Sequence, residues 1–234
     1  MPFALVLFLL TDLSRNYTTS TIVAVCLLII LSGLAKPSYI LIMMPSIVLL
    51  YWEGYREIDK KHFFALCLVC LLTLLWAYLF IYGFQVNPGY KGKVAIGLFK
   101  APLVWSRISI FPTVNCIIIL LKGALSIVFP LYVLAMYRKN IAKDFQWLYA
   151  WTLFAFACIF VVFFYEKPNI RHGNFGWPAI TATFLLFVAS FMVFIENFAK
   201  DMRSYCGAAL LGLHVAFGVA YRLKLILFGT LAWG

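Results

Sequence analysis

The sequence predicts an all-α fold, a polytopic transmembrane helix bundle with about seven or eight membrane segments and one interfacial helix. Hydrophobic residues make up 65% of the 234 residues and charged residues only 12%, and the mean hydropathy is +0.99. Apolar runs long enough to cross a ~30 Å hydrocarbon layer recur along the chain. Such runs span as helices because every backbone N–H and C=O must be paired inside the segment.

The same composition indicates one transmembrane helical domain over residues 1–234 and disfavours several classes of function. The net charge of +11 is spread over short loops, so we expect membrane lipid and no nucleic acid as a partner. The six cysteines lie in or beside apolar runs, and Cys67-x-x-Cys70 has no second ligand pair, so we expect no metal and no cofactor. No motif of an ATPase, a metalloprotease or a serine hydrolase is present.

The first 82 residues contain four apolar runs. Met1–Leu10 is too short to cross a bilayer, so we expect the chain to be the carboxyl-terminal part of a longer protein. Thr21–Ala35 and Tyr39–Trp52 are predicted as two short or tilted membrane helices, separated at Pro37 because proline lacks an N–H and disfavours helix at the preceding residue. Phe63–Tyr82 is free of charge and long enough to span.

The segment 83–112 interrupts this pattern. Asn87-Pro88-Gly89 predicts a turn. The apolar stretch Val94–Trp105 contains Lys100 and Pro102 and is too short and too broken to span. We therefore predict a short helix that lies in the membrane interface.

Four more spans are predicted after this segment, namely Thr113–Met136 with a kink at Pro130, Gln146–Tyr165, Pro178–Ile195 and Tyr205–Tyr221. Arg222 and Lys224 are predicted to separate the last span from an apolar tail, Leu225–Trp233.

The basic residues suggest an orientation for the bundle. Counted from the amino terminus, the odd-numbered loops carry nine Lys and Arg, and the even-numbered loops together with the tail also carry nine. The odd-numbered loops are short and hold these residues beside helix ends, where the positive-inside rule has most force, so we place them in the cytoplasm. Lys36, the segment 83–112 and the segment Glu166–Trp177 then share the outer face.

The polar segment Glu166–Trp177 lies between two long apolar runs and is the first candidate for a functional site. Its proline and two glycines prevent a simple helical continuation. We assign Glu166 and His172 as catalytic: the carboxylate takes a proton from a sugar hydroxyl, and the imidazole shuttles protons or donates a hydrogen bond. The alternative is a Glu166–Arg171 pair that only stabilises the loop, because exposed ion pairs are common and weak.

Other residues of this face are assigned to substrate binding. In the polar segment, Arg171 is suited to hold a phosphate, and Asn174 and Trp177 are suited to hydrogen-bond to and stack on a sugar ring. Trp177 is equally well placed as an interface aromatic. The cations assigned to an anionic headgroup or lipid phosphate are Lys36, Lys91, Lys93, Lys100 and Arg107. Long side chains that only anchor the protein at the interface are the alternative for these cations.

Two stretches, Ser32-Gly-Leu-Ala-Lys-Pro-Ser-Tyr39 and Glu166 with Arg171-His-Gly-Asn-Phe-Gly-Trp177, resemble bacterial polytopic membrane glycosyltransferases that use polyprenyl-phosphate sugars in surface-polysaccharide biosynthesis. The resemblance covers the carboxyl half of such a protein. It implies a multi-pass protein of the bacterial inner membrane and a polyprenyl-phosphate-linked sugar as the partner. In that family the catalytic acid lies in the first outer loop, and this chain has no obvious equivalent.

The leading functional hypothesis is therefore glycosyl transfer or polysaccharide polymerisation on a lipid-linked sugar at the outer membrane face. A transporter or flippase of a lipid-linked saccharide is the second hypothesis, and a noncatalytic assembly partner is the third. A polar cavity that opens alternately to each side would favour transport, whereas a pocket confined to the outer face would favour transfer.

Overall fold

The structure is a computed structural model that describes residues 2–13, 19–53, 60–80, 95–98, 123–141, 144–167 and 176–228. These residues form helices α1 (Pro2–Leu13), α2 (Thr19–Ala35), α3 (Ser38–Trp52), α4 (Lys60–Tyr78), α5 (Val128–Ile141), α6 (Phe145–Phe163), α7 (Trp177–Glu196) and α8 (Met202–Phe228), and strands β1 (Ala95–Leu98) and β2 (Phe164–Lys167). The predicted helical class is confirmed, and the two short strands are the exception to it.

Three helices, α4, α6 and α7, are long and apolar enough to cross a membrane, and α2, α3 and the stretch Val128–Arg138 are shorter apolar helices. Large apolar side chains also cover the outside of the bundle. Leu68, Leu71 and Leu75 on α4, for example, are each half exposed. An apolar exterior of this kind suits hydrocarbon rather than water as the surrounding medium.

The pair α6 and α7 forms the centre of the bundle. The small side chains Ala150 and Ala157 of α6 and Ala182 and Ala189 of α7 are buried, and such residues let helix backbones approach closely in a membrane. Helix α3 packs on both α6 and α7, α1 packs on α2 and α6, and α2 packs on α4. On the other side, α5 packs on α7 and α8 packs on α5.

One predicted break is found where proline places it, and a second interruption lies three residues before the proline that predicted a kink. Helix α2 ends at Ala35 and α3 begins at Ser38, so the break at Lys36-Pro37 is confirmed. In the expected span Thr113–Met136, the helical turn 123–126 is interrupted at Ile127 before α5 begins. Pro130 thus lies in the first turn of α5, where its missing N–H costs no intrahelical hydrogen bond. Residues 113–122 of that span lie outside the described residues.

The predicted interfacial helix over Val94–Trp105 is wrong for residues 95–98, which form β1. Strand β1 pairs antiparallel with β2. Gly97 is a poor helix former, and β2 supplies partners for the backbone groups that a helix would have paired internally. For the same reason the span expected over Gln146–Tyr165 ends at Phe163, since the next four residues belong to β2.

The predicted end of the last span is also wrong. Helix α8 continues through Arg222 and Lys224 to Phe228 and contains 27 residues. Arginine and lysine are good helix formers, so their charge does not end a helix, and the next glycine is Gly229. The apolar stretch after Lys224 therefore begins as part of the same helix.

Candidate functional site

The β1–β2 ribbon brings two of the predicted site segments together. In its register Ile96 lies opposite Glu166, and Ala95 lies opposite Lys167. Strand β1 lies within the segment 83–112, here called the cation-rich segment because it contains Lys91, Lys93, Lys100 and Arg107. In sequence, Lys93 precedes the strand by two residues and Lys100 follows it by two.

A second contact joins the break between α2 and α3 to the same region. The Lys36 Nζ atom lies 3.5 Å from the centroid of the Trp177 ring, which is a cation–π geometry. Trp177 is the first residue of α7 and the last residue of the polar segment. Lys36 thus contacts the last residue of the polar segment, and β1 pairs with the strand that holds its first two residues.

Below the Lys36–Trp177 contact lies a small cavity of about 90 Å³. Three hydroxyl-bearing residues line it, namely Ser32 of α2, Ser38 of α3 and Thr181 of α7. All three are buried, with 5%, 8% and 6% of their surface exposed, respectively. Its volume is well above the ~10–15 Å³ that one water molecule requires.

The remaining walls of the cavity come from Phe3, Ala4, Ala35 and Tyr39. None of the described residues that line it is acidic, and Lys36 is its one cationic member. Burial lowers the pKa of the Lys36 ammonium, because a partly desolvated site disfavours the charged form. A site with one such cation and several hydroxyl groups suits a small anion.

The structure describes part of the predicted site. Of the predicted substrate-binding residues, Lys36 and Trp177 are brought into contact. The backbone of Glu166 is placed by the ribbon, and its side chain lies outside the described residues. The other predicted residues all lie outside the described residues, namely Lys91, Lys93, Lys100, Arg107, Arg171, His172 and Asn174.

Sequence analysis missed Ser32, Ser38 and Thr181 as residues of this site, although the helical period contains a signal for two of them. Ser32 precedes Lys36 by four residues, and Thr181 follows Trp177 by four, so each hydroxyl lies on the same helix face as a predicted site residue. A search for polar residues at this spacing from the predicted residues would have found both.

The chain matches no protein-family model, no curated protein and no solved structure.

Proposed function

We propose that this chain is a multi-pass membrane protein that transfers a sugar from a lipid-linked donor at one face of the membrane. The observation that supports this most directly is the register of the ribbon, in which Glu166 lies opposite Ile96 in the middle of the cation-rich segment. A carboxylate, several cations and an aromatic ring beside a lipid-facing surface suit a substrate that is at once a sugar, a phosphate and a lipid.

In the proposed reaction, the oxygen of an acceptor hydroxyl bonds to the anomeric carbon of the donor sugar, and Glu166 accepts the proton of that hydroxyl. The bond between that carbon and the phosphate oxygen breaks, and the lipid phosphate leaves with the electron pair. Arg171 and the cations near β1 stabilise the phosphate that is released. His172 donates a hydrogen bond or moves the proton onward.

The proposal includes the membrane arrangement. We infer a bundle of about seven or eight membrane segments, with the break at Lys36-Pro37, the ribbon and the polar segment on the outer face of a bacterial inner membrane. The three described helices long enough to span, the Lys36–Trp177 contact and the β1–β2 pairing support this arrangement.

Glycosyl transfer is favoured over transport by what lies beside the cavity. Tyr39 lines the cavity, and its hydroxyl contacts the fully buried Tyr149 in the interior of the bundle. A path for a saccharide would have to pass these packed aromatic residues. A pocket confined to one end is the arrangement expected of a transferase.

The test is transfer of a radiolabelled sugar from a polyprenyl-phosphate donor by membranes that contain each variant. We expect Glu166→Gln to lower transfer at least ~100-fold, as for the loss of a general base, and Arg171→Ala to lower it as well. The matched controls are Glu196→Gln and Arg203→Ala. Both residues are exposed; Glu196 is the last residue of α7, and Arg203 lies in α8. Wild-type transfer by both site variants, at equal protein abundance, would show that the proposal is wrong.

A further inference from the structure

We propose that the cavity beneath Lys36 and Trp177 is a phosphoryl-binding subsite, formed by the Lys36 ammonium, the hydroxyls of Ser32, Ser38 and Thr181, and the free N–H groups at the start of α3. Its ligand is a phosphate oxyanion. The identification of that phosphate with the headgroup of the lipid donor rests on the proposed function, whereas the subsite itself rests on the cavity.

The first argument is the state of the three hydroxyls. Among the described residues, Ser32, Ser38 and Thr181 have no hydrogen-bond partner for their side chains, although each is more than nine-tenths buried. Elsewhere in the bundle the buried Ser46 hydroxyl donates to the Ile42 carbonyl at 2.7 Å, whereas the hydroxyls of Ser190 and Tyr137 are buried without a partner. The oxygens of Ser32, Ser38 and Thr181 are not among the fully buried unpaired atoms, and all three residues line this cavity. A hydroxyl that faces a cavity without a partner gains a hydrogen bond when a polar ligand enters, so three of them around one cavity suit a polar ligand.

The second argument is the start of α3. Pro37 is its N-cap residue and makes no side-chain cap hydrogen bond. The first N–H groups of a helix have no intrahelical acceptor and form an anion site with the positive end of the helix dipole. Two of the residues in this first turn, Ser38 and Tyr39, line the cavity.

The start of α7 contributes to the same positive electrostatic potential. Its N-cap is Gly176, which offers no side-chain cap, and Pro178 follows in the first turn. Trp177 and Thr181, from the first and second turns of α7, also line the cavity. Residues from the first turns of α3 and α7 and one ammonium therefore line the cavity, and the described lining has no carboxylate to oppose them.

The hydrogen-bond donors around the cavity favour a phosphate over a neutral ligand. Hydroxyls, backbone N–H groups and an ammonium all donate hydrogen bonds, and a phosphate offers several acceptor oxygens to them at once. A sugar ring presents donors as well as acceptors and would leave the donors of the cavity partly unpaired. We therefore expect the saccharide to lie outside the cavity, on the side of the polar segment.

The experiment uses the full chain purified in detergent and follows its thermal unfolding midpoint as a probe is added, because a ligand that binds the folded state raises the midpoint with its concentration. The probes are dihexanoyl phosphatidic acid, dihexanoylglycerol, which lacks the phosphate, and inorganic phosphate. We expect phosphatidic acid to raise the midpoint of the wild type and dihexanoylglycerol to have no comparable effect. Competition by inorganic phosphate would identify free phosphate as an alternative source of the ligand, and its failure would restrict the site to lipid phosphates.

The variants identify the site. We expect Lys36→Met to weaken phosphatidic acid binding at least ~10-fold, as for a lost charged hydrogen bond, and Lys36→Arg to retain most of it. Ser38→Ala and Thr181→Val should each weaken binding severalfold. The matched controls are Lys200→Met and Ser126→Ala, since both residues are exposed and away from the cavity. Equal affinity in wild type, Lys36→Met and Thr181→Val would overturn the subsite.

The two proposals fail separately. If Glu166→Gln retains sugar transfer while Lys36→Met loses phosphatidic acid, the subsite stands and the catalytic proposal is wrong. If Glu166→Gln abolishes transfer while Lys36→Met binds phosphatidic acid like the wild type, the subsite is wrong and the catalytic proposal stands.

Discussion

The hydroxyl oxygen of Tyr39 lies 3.3 Å from that of Tyr149, in a contact that joins α3 to α6 beside the cavity. Tyr149 is fully buried and stacks on Phe8 of α1 at a ring-centroid distance of 5.7 Å. The pair thus links three helices through one hydrogen bond and one aromatic contact. In an apolar interior no water can take the place of a missing hydrogen-bond partner, so the hydrogen bond fixes how α3 and α6 are aligned.

We predict that Tyr149→Phe destabilises the bundle by about 1 kcal/mol, because it deprives the Tyr39 hydroxyl of the partner it has among the described residues. Adding Tyr39→Phe should recover part of this loss, since the double variant buries no unpaired Tyr39 hydroxyl. Unfolding by SDS titration in mixed micelles measures both. A double variant that is less stable than Tyr149→Phe by a further ~1 kcal/mol would contradict the predicted recovery.

Contacts between residues far apart in sequence, such as Tyr39 and Tyr149, could not be predicted from local sequence patterns. Apolar run lengths predicted most of the helices, and Pro37 predicted the break between α2 and α3, because both signals are local. The pairing of β1 with β2 was not predictable in this way. It joins residues that are about 70 positions apart, and neither four-residue strand has a period long enough to separate strand from helix.

The close approach of α2 and α4 depends on Gly33. A Cβ atom at this position would overlap the Thr73 Cγ2 atom and would lie 3.1 Å from the Ile40 Cδ1 atom. We predict that Gly33→Ala destabilises the bundle by ~1–3 kcal/mol, because helices packed at a small residue must separate to admit a side chain.

The matched control is Gly212→Ala in α8, where a Cβ would meet no atom within 4 Å. Alanine is a better helix former than glycine, so this variant should be neutral or slightly stabilising. The same SDS titration measures both variants. Equal stability of the two would show that α2 and α4 are not in close contact at Gly33.

Low pH is expected to destabilise the start of α8. The Asp201 carboxylate accepts a hydrogen bond from the Ser204 N–H at 2.8 Å, and hydrogen bonds from Ser204 lower the pKa of Asp201. A carboxyl whose pKa is lower in the folded state stabilises the fold above its unfolded pKa of ~3.9 and loses this contribution as the pH falls through the folded pKa.

We therefore expect the thermal unfolding midpoint of the wild type to fall more steeply below about pH 4 than that of Asp201→Asn. Asparagine can still cap the helix, but it does not titrate. Comparison of the two midpoints between neutral and acid pH measures the effect. Parallel curves would mean that Asp201 does not contribute to the acid sensitivity.

The candidate site was predicted from sequence only in its charged and aromatic members. Lys36 and Trp177 attract notice because each lies at a break between apolar runs, and the structure places them in contact. Serine and threonine are common within membrane helices, so Ser32 and Thr181 become informative only when packing shows that both line one cavity. That packing depends on how α2, α3 and α7 meet, which no local pattern contains.

The register of the ribbon can be tested by cross-linking, and the proposed site depends on it. Directly opposed residues of an antiparallel pair have Cα atoms ~4.5–5.5 Å apart, within the range for a disulfide. In a variant without the native cysteines, Ile96→Cys with Glu166→Cys should therefore form a disulfide on mild oxidation, because these positions are paired. Ile96→Cys with Tyr165→Cys is the control, since the register pairs Tyr165 with Gly97 rather than with Ile96. If neither pair forms a cross-link detectable by gel mobility, the cation-rich segment does not meet the strand of Glu166, and the site proposed for the lipid phosphate is not assembled.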